Sequence, residues 1–238
     1  MQVITAVAAK GGVGKTTTLA GLAMVRAKEG QKVMLVDTDS NRPMTKFREA
    51  GLETGYWSDQ VHVQSFIGDD ASGLSEAIDG YEDAGFDFVA LDTKGGEGVL
   101  ALTSMQLSDF VVVPTGLSQN DIDGTEETLI WLRTLAEEGY KLPPYRTLIT
   151  QMPSPSRLSN GEAQQFDDIT EHFPVMVTTI PPNVTIKNYA MYGLFHKIIE
   201  EYETNDKPTE RLQANHFRAP LILYKRLADE IAGIIKNG

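Results

Sequence analysis

Cysteine is missing from this 238-residue chain. Its absence excludes disulfides, a thiol nucleophile, thiolate-held zinc and iron–sulfur clusters, and it fits a cytosolic protein. Histidine is scarce too. His62, His172, His196 and His216 lie far apart, without the short spacings of a metal site. No apolar run approaches the roughly 20 residues that a membrane helix needs. The first such run, Val3–Ala9, has no basic residue before it and leads into glycines, so it does not read as a secretory leader. Positive charge is also short: 21 Lys+Arg stand against 33 Asp+Glu, a formal charge of −12. That excludes a chain coated in positive charge for nucleic acid, while leaving room for a local basic patch.

What is present suits a folded domain. Hydrophobic residues make up 41% and charged residues 23%, enough apolar material for a sizeable core. Apolar, β-branched runs predict strands over Val3–Ala9, Lys32–Asp37, Val61–Phe66, Phe88–Asp92, Phe110–Pro114, Arg146–Gln151 and Val175–Ile180. Several are continuously apolar, as strands covered on both faces are. Helical patterns fall between them, over Thr16–Glu29, Leu74–Glu82, Asp123–Glu138 and Asn160–His172. The alternation implies one α/β domain over residues 1–238, a mostly parallel central sheet with helices on both faces. Pro143-Pro144, Pro153-Ser154-Pro155 and Pro181-Pro182 read as turns rather than linkers. From about residue 185 the chain turns helical. Glu200–Ala219 is polar and weakly patterned, and reads as a helix with an irregular excursion before a last helix, Pro220–Lys236.

The strongest chemical signal is Lys10-Gly11-Gly12-Val13-Gly14-Lys15-Thr16-Thr17, which follows a predicted strand and opens a predicted helix. Glycines let successive backbone N–H groups turn toward phosphate oxygens, and the helix N-terminus adds its positive dipole end. Lys15 can reach β- and γ-phosphates, and the Thr16 hydroxyl can ligate Mg²⁺. Residues Gly11 to Thr17 are therefore the candidate nucleotide contacts.

The loop departs from the general phosphate-loop pattern, with Ala9 where a first glycine is usual and an extra lysine, Lys10. In this it resembles the deviant phosphate loop of the ParA/MinD ATPases. The resemblance implies ATP and Mg²⁺ as ligands, and Lys10 as a catalytic residue that reaches the nucleotide of a second subunit. Val36-Asp37-Thr38-Asp39-Ser40-Asn41 resembles the family's first switch, with Ser40-Asn41 in place of Pro-Gln. The likeness makes Asp39 the residue that positions the attacking water, and has Asp37 support the loop and the magnesium. Phe88–Asp92 followed by Thr93-Lys94-Gly95-Gly96 resembles the Walker B strand and second switch, with Asp92 in the metal shell. Gln151 stands where relatives often carry a base-reading Asn, and Pro181 follows the next predicted strand, so both are candidates for the base site.

Within the family the chain looks like the plasmid-borne ParA branch, which includes the VirC partition-like ATPase of Ti plasmids. Asn41-Arg42-Pro43, the loop after Asp92 and Asn205–Thr209 carry this closer likeness. Missing cysteine excludes the relatives that hold iron–sulfur clusters, and no C-terminal tyrosine cluster marks a tyrosine kinase. Lys10 argues against a small-molecule ligase of the same fold. The expected activity is ATP hydrolysis by an ATP-dependent homodimer that binds DNA non-specifically, with a ParB-like or other cargo adaptor triggering hydrolysis. Such a protein is cytoplasmic and nucleoid-associated when ATP-bound. The alternatives are an ATP-switched scaffold for a DNA-transfer complex or protein assembly, and a MinD-like membrane-associated ATPase. A membrane role is disfavoured, because Asp229 and Glu230 interrupt the basic face of the last helix. Residues 187–238 hold 8 Lys+Arg and 7 Asp+Glu, so the negative charge resides elsewhere. Lys187, Lys197, Arg211, Arg218, Lys225 and Arg226 are the candidate DNA patch.

Overall fold

The computed structural model describes residues 1–66, 68 and 70–237; Ile67, Asp69 and Gly238 of the expected domain span lie outside them. Six strands form one sheet: β1 (Gln2–Ala6), β2 (Val33–Asp37), β3 (Val61–Ser65), β4 (Phe88–Asp92), β5 (Phe110–Thr115) and β6 (Tyr145–Ile149). Every pairing is parallel and the spatial order is β3-β2-β4-β1-β5-β6. The helices among the described residues are α1 (Lys15–Lys28), α2 (Pro43–Thr54), α3 (Ala71–Asp83), α4 (Val99–Gln106), α5 (Gln119–Glu137), α6 (Asn160–His172), α7 (Val184–Lys187), α8 (Phe195–Thr204) and α9 (Pro208–Asn237).

The period-two alternation of a strand splits each apolar run between two cores. In β4, Phe88 and Ala90 join the core under α1, α2, α8 and α9, while Val89 and Leu91 meet α3 and α4. In β5, Phe110 and Val112 join the first core, and Val111 and Val113 pack against α5. A large side chain buried to this degree contributes on the order of 2 kcal/mol. The alternation also sets the chemistry. Asp37 and Asp92 continue the α1–α2 face, and the β2–β4 register places them side by side. From β1 the chain moves outward to β2 and β3, returns to β4 and then crosses to β5 and β6. The loops after β1, β2 and β4 thus meet at the carboxyl edge where strand order reverses, the place an open α/β sheet binds ligands.

Three expectations are corrected. Val175–Ile180 is not a seventh strand; it makes one bridge, Thr147 to Val175. The Glu230 carboxylate of α9 accepts the amides of Val177 (2.6 Å) and Thr178 (2.9 Å), so those groups leave the sheet and Val177 is 92% exposed. The last helix does not begin at Pro220 but at Pro208 and runs 30 residues, with Pro220 inside it. Ala214, Phe217, Leu221, Tyr224, Ala228 and Ile231 are buried at helical spacing on both sides of the proline, and this stripe outweighs the missing amide. The third is the pair of helices α2 and α4, both absent from the sequence reading; α2 is the more instructive. Only Met44, Phe47 and Gly51 of it are buried, and its start is set by Asp37.

Candidate functional site

The phosphate loop leaves β1 and turns into α1 at Lys15. Gly12 and Gly14 take φ of +83° and +103°, which a side chain would strain, and a Cβ on Gly14 would stand 3.3 Å from Thr150. Two hydroxyls that the sequence reading missed hold the loop. Thr150, after β6, lies 2.9 Å from the Val13 carbonyl and 3.0 Å from that of Thr115. Thr128 of α5 accepts the Ala9 amide at 2.9 Å. Both are buried β-branched residues, which in sequence look like packing. Lys15 curls over the loop and donates to the Lys10 carbonyl at 3.0 Å. Burial lowers its pKa, against the pull of Asp92 and Asp39.

Asp92, at the end of β4, is buried, and its Oδ2 accepts the Thr16 hydroxyl at 2.7 Å. Its Oδ1 is buried with no hydrogen-bond partner among the described residues. Burial pushes the carboxyl up to about 7; Asp37 and Asp39 add to this, while the Thr16 hydroxyl and Lys15 oppose it. A cation held beside it would favour its charged form. An orphaned oxygen beside a threonine hydroxyl at a helix N-terminus fits a hard, oxygen-seeking ion such as Mg²⁺.

Asp37 is engaged differently. Its Oδ1 accepts the Met44 amide (2.9 Å), and its Oδ2 accepts the Thr45 amide (2.9 Å) and hydroxyl (2.8 Å). It anchors α2 and thereby the loop that carries Asp39. Asp39 is half-buried; its Oδ1 accepts the Asn41 amide at 2.8 Å and its carbonyl accepts the Arg42 amide at 3.0 Å. Thr38 donates its amide to the Asp92 carbonyl at 2.9 Å, and Gly96 donates to Ala8 at 3.1 Å. The loops after β2 and β4 are thus hydrogen-bonded to each other and to the phosphate loop.

Lys10 turns back onto its own chain. Its stem crosses Gly124 of α5, and its ammonium donates to the backbone and side-chain oxygens of Asn120. Nothing in the sequence joins positions 10, 120 and 124. On the other flank a cleft of about 440 Å³ runs along Gly12, Gly14, Thr17, Gln151, Pro181 and Lys187, so both base-site candidates line it. Tyr224 of α9 closes its inner wall, with a buried hydroxyl that has no partner among the described residues.

Half of the candidate DNA residues are committed to acids. Lys225 pairs with Glu29 at 3.1 Å and with Asp229, Lys197 with Glu200 at 3.1 Å, and Arg218 with Glu203. In the last helix Leu227 and Ile231 are buried, and Leu223, Ile234 and Ile235 pack against the core. No helix among the described residues is long and apolar enough to cross a membrane.

The model of the VirC1 protein family matches residues 1–237. Protein virC1 of Rhizobium radiobacter is 30% identical over 219 residues, covering 92% of each chain. The chromosome-partitioning ATPase Soj of Thermus thermophilus is 27% identical over 96% of this chain and 94% of its own. Among solved structures, the septum site-determining protein MinD of Pyrococcus horikoshii, complexed with Mg-ADP, superposes with a TM-score of 0.63. It is 17% identical over 98% of both chains, a likeness of fold.

Proposed function

The chain belongs to the VirC1 protein family, of ParA/MinD type, and on that premise we propose that it is an ATPase switched by ATP-dependent dimerisation. The observation that carries the reading is the orphaned Asp92 Oδ1, which sits beside the Thr16 hydroxyl at the mouth of a glycine loop holding a buried lysine. The Soj relative is named an ATPase, and the Pyrococcus MinD is complexed with Mg-ADP. Both ligands suit the residues here.

Gly11, Gly12, Val13 and Gly14 offer backbone N–H groups to phosphate oxygens. Lys15 gives up its bond to the Lys10 carbonyl and turns to the β- and γ-phosphates. Thr16 and Asp92 would hold the metal, and Asp37, beside Asp92, would support its surroundings while anchoring α2. Bound Mg²⁺ neutralises phosphate charge. Asp39 has one oxygen tied to the Asn41 amide and uses the other to orient the attacking water. Thr17 closes the phosphate side of the cleft, and Gln151 and Pro181 read the base. Lys10 leaves Asn120 and completes the site of a second subunit. The dimer binds DNA through phosphate contacts, and a ParB-like or other cargo adaptor triggers hydrolysis, in the cytoplasm.

A specific observation also favours a second reading, an ATP-switched scaffold for a DNA-transfer complex. Three of the six candidate DNA residues are already ion-paired, which leaves Lys187, Arg211 and Arg226 without an acidic partner among the described residues. Calorimetric titration with Mg·ATP tests the shared premise. The wild type should bind and Lys15→Ala should not; near-native affinity in that variant would remove Lys15 from the site. A DNA-coated sensor read in ATP and in ADP then separates the two readings.

A further inference from the structure

Thr150 follows β6 and is buried where the glycine loop meets the cleft. Its amide donates to the Thr115 carbonyl, at the end of β5, at 2.7 Å. Its hydroxyl lies 3.0 Å from that same carbonyl and 2.9 Å from the Val13 carbonyl. A hydroxyl has one proton to give. Thr115 already holds the amide, whereas the Val13 carbonyl has no other donor among the described residues. The proton therefore matters most to Val13. The Thr150 methyl faces the next residue of the loop, Gly14, where an added Cβ would stand 3.3 Å away.

The bond to Val13 decides more than the direction of one carbonyl. The peptide that joins Val13 to Gly14 is trans and planar, so its C=O and N–H point opposite ways. Holding the Val13 carbonyl toward Thr150 turns the Gly14 N–H away from Thr150. Nothing in Gly14 itself imposes this. At φ +103° it lacks the side-chain sterics that fix other residues, and no side chain caps α1 there. If that peptide rotated, a carbonyl oxygen would take the place of an N–H, and it would meet phosphate with negative charge facing negative charge. A donor fixed outside the loop prevents the rotation, and Thr150 supplies it from the sheet.

Thr150 is held firmly enough for that task. The Ile180 amide donates to the Ile149 carbonyl just before it, and the Met152 amide donates to the Ile180 carbonyl just after it, both at 2.9 Å. Gln151, Ile180 and Pro181 line the cleft together with Gly14 and Thr150. The wall of the candidate base site and the glycine loop are thus joined through one side chain.

We propose that Thr150 is a positioning residue for phosphate binding: by holding the Val13 carbonyl, its hydroxyl aims the Gly14 N–H at a phosphate oxygen of the bound nucleotide. The proposal rests on the ATPase reading and deepens it.

The test separates the proton from the methyl. Thr150→Ser keeps the first and loses the second; Thr150→Val does the reverse. Each loses one buried interaction, so both should melt about 2–6 °C below wild type. Titration with Mg·tripolyphosphate, Mg·ATP and Mg·ADP should part them. Thr150→Ser should bind all three within about twofold of wild type, and Thr150→Val roughly tenfold more weakly in every case. In amide NMR of the wild type, the Gly14 proton should move downfield when Mg·tripolyphosphate is added, a reading that needs no substitution. Wild-type affinity in Thr150→Val overturns the proposal, as does an equal loss in both variants or a Gly14 proton that does not move. A loss for ATP and ADP that spares tripolyphosphate also overturns it, since Thr150 would then act through Gln151 on the base. A wild type that binds neither nucleotide nor tripolyphosphate removes the ATPase reading, and the proposal with it.

Discussion

Gly124→Ala tests what the docked position of Lys10 is worth. An alanine Cβ there would stand 2.9 Å from Lys10 Cδ and 3.0 Å from Cγ, so the flexible lysine must leave its track along α5. The helix itself gains, because alanine in place of an interior glycine stabilises by about 0.8–1 kcal/mol. Lost is the solvent-exposed contact with Asn120, on the order of 1 kcal/mol or less. The two changes nearly cancel. At about 2–4 °C per kcal/mol for a chain of this size, the melting temperature should stay within about 3 °C of wild type.

Dimerisation should change more than stability does. A docked Lys10 cannot reach a second subunit, so docking is a competing state, and a competitor weakens association by its own free energy. Each subunit of the dimer must release its lysine, so removing about 1 kcal/mol of docking from both should tighten ATP-dependent dimerisation about thirtyfold. Asn120→Ala deletes one of the two acceptors and leaves the helix packing alone, so it should act in the same direction and more weakly. Lys10→Ala should bind nucleotide and dimerise poorly. Light scattering with a slowly hydrolysed ATP analogue reads all three variants, with melts as the control for folding. If Gly124→Ala and Asn120→Ala melt normally and dimerise no better than wild type, the docked lysine is not a competing state and the reasoning fails.

Asp39→Ala should keep ATP binding and lose roughly a hundredfold or more in turnover, read by phosphate release; wild-type turnover would move the water-positioning role elsewhere. Tyr224→Phe removes a buried hydroxyl with no partner among the described residues, and should raise stability by about 1 kcal/mol in denaturant titration. A loss would mean that the hydroxyl is satisfied. Burial holds His196 down to about 4, with Glu200 opposing and Lys197 and Lys28 assisting. Its folded pKa lies below the unfolded value of about 6.5, so its contribution is whole above that pH and is lost as pH falls toward 4. The loss is about 2–3 kcal/mol, and His196→Gln should flatten that part of a stability–pH curve. DNA binding, if carried by the cations that have no acidic partner among the described residues, should drop with Arg211→Glu plus Arg226→Glu. It should also fall with salt at about 0.9 log units per phosphate neutralised. An ATP-dependent signal that ignores both would place the contact elsewhere.

Much of the site was legible because its signals are local. Glycine spacing, a lysine–threonine pair and carboxylates ending apolar strands each declare themselves within a few residues, and the sheet carries them to one edge. The arrangement of Lys10, Asn120 and Gly124 was not legible, since it depends on α5 passing beside the loop after β1. The fold's two instructive departures share one cause. At α2 a buried carboxylate from the end of β2 accepts the amides of Met44 and Thr45, and a helix starts where few apolar residues predict one. At Val177–Thr178 a carboxylate from α9 accepts two adjacent amides, and a strand that β-branched residues predict does not form. Backbone amides must be paired somewhere, and side-chain patterns record only burial. A pair of adjacent amides can be claimed by a single aspartate or glutamate placed there by tertiary structure, and that claim decides between helix, strand and loop. Glu230 therefore bears on the approach to the candidate base site through the same physics by which Asp37 bears on the loop that carries Asp39. Glu230→Gln, with one oxygen in place of two for the Val177 and Thr178 amides, should loosen the segment that ends at Ile180 and Pro181. Hydrogen exchange at those two amides would register the change, and equal protection in variant and wild type would show that the carboxylate does not hold them.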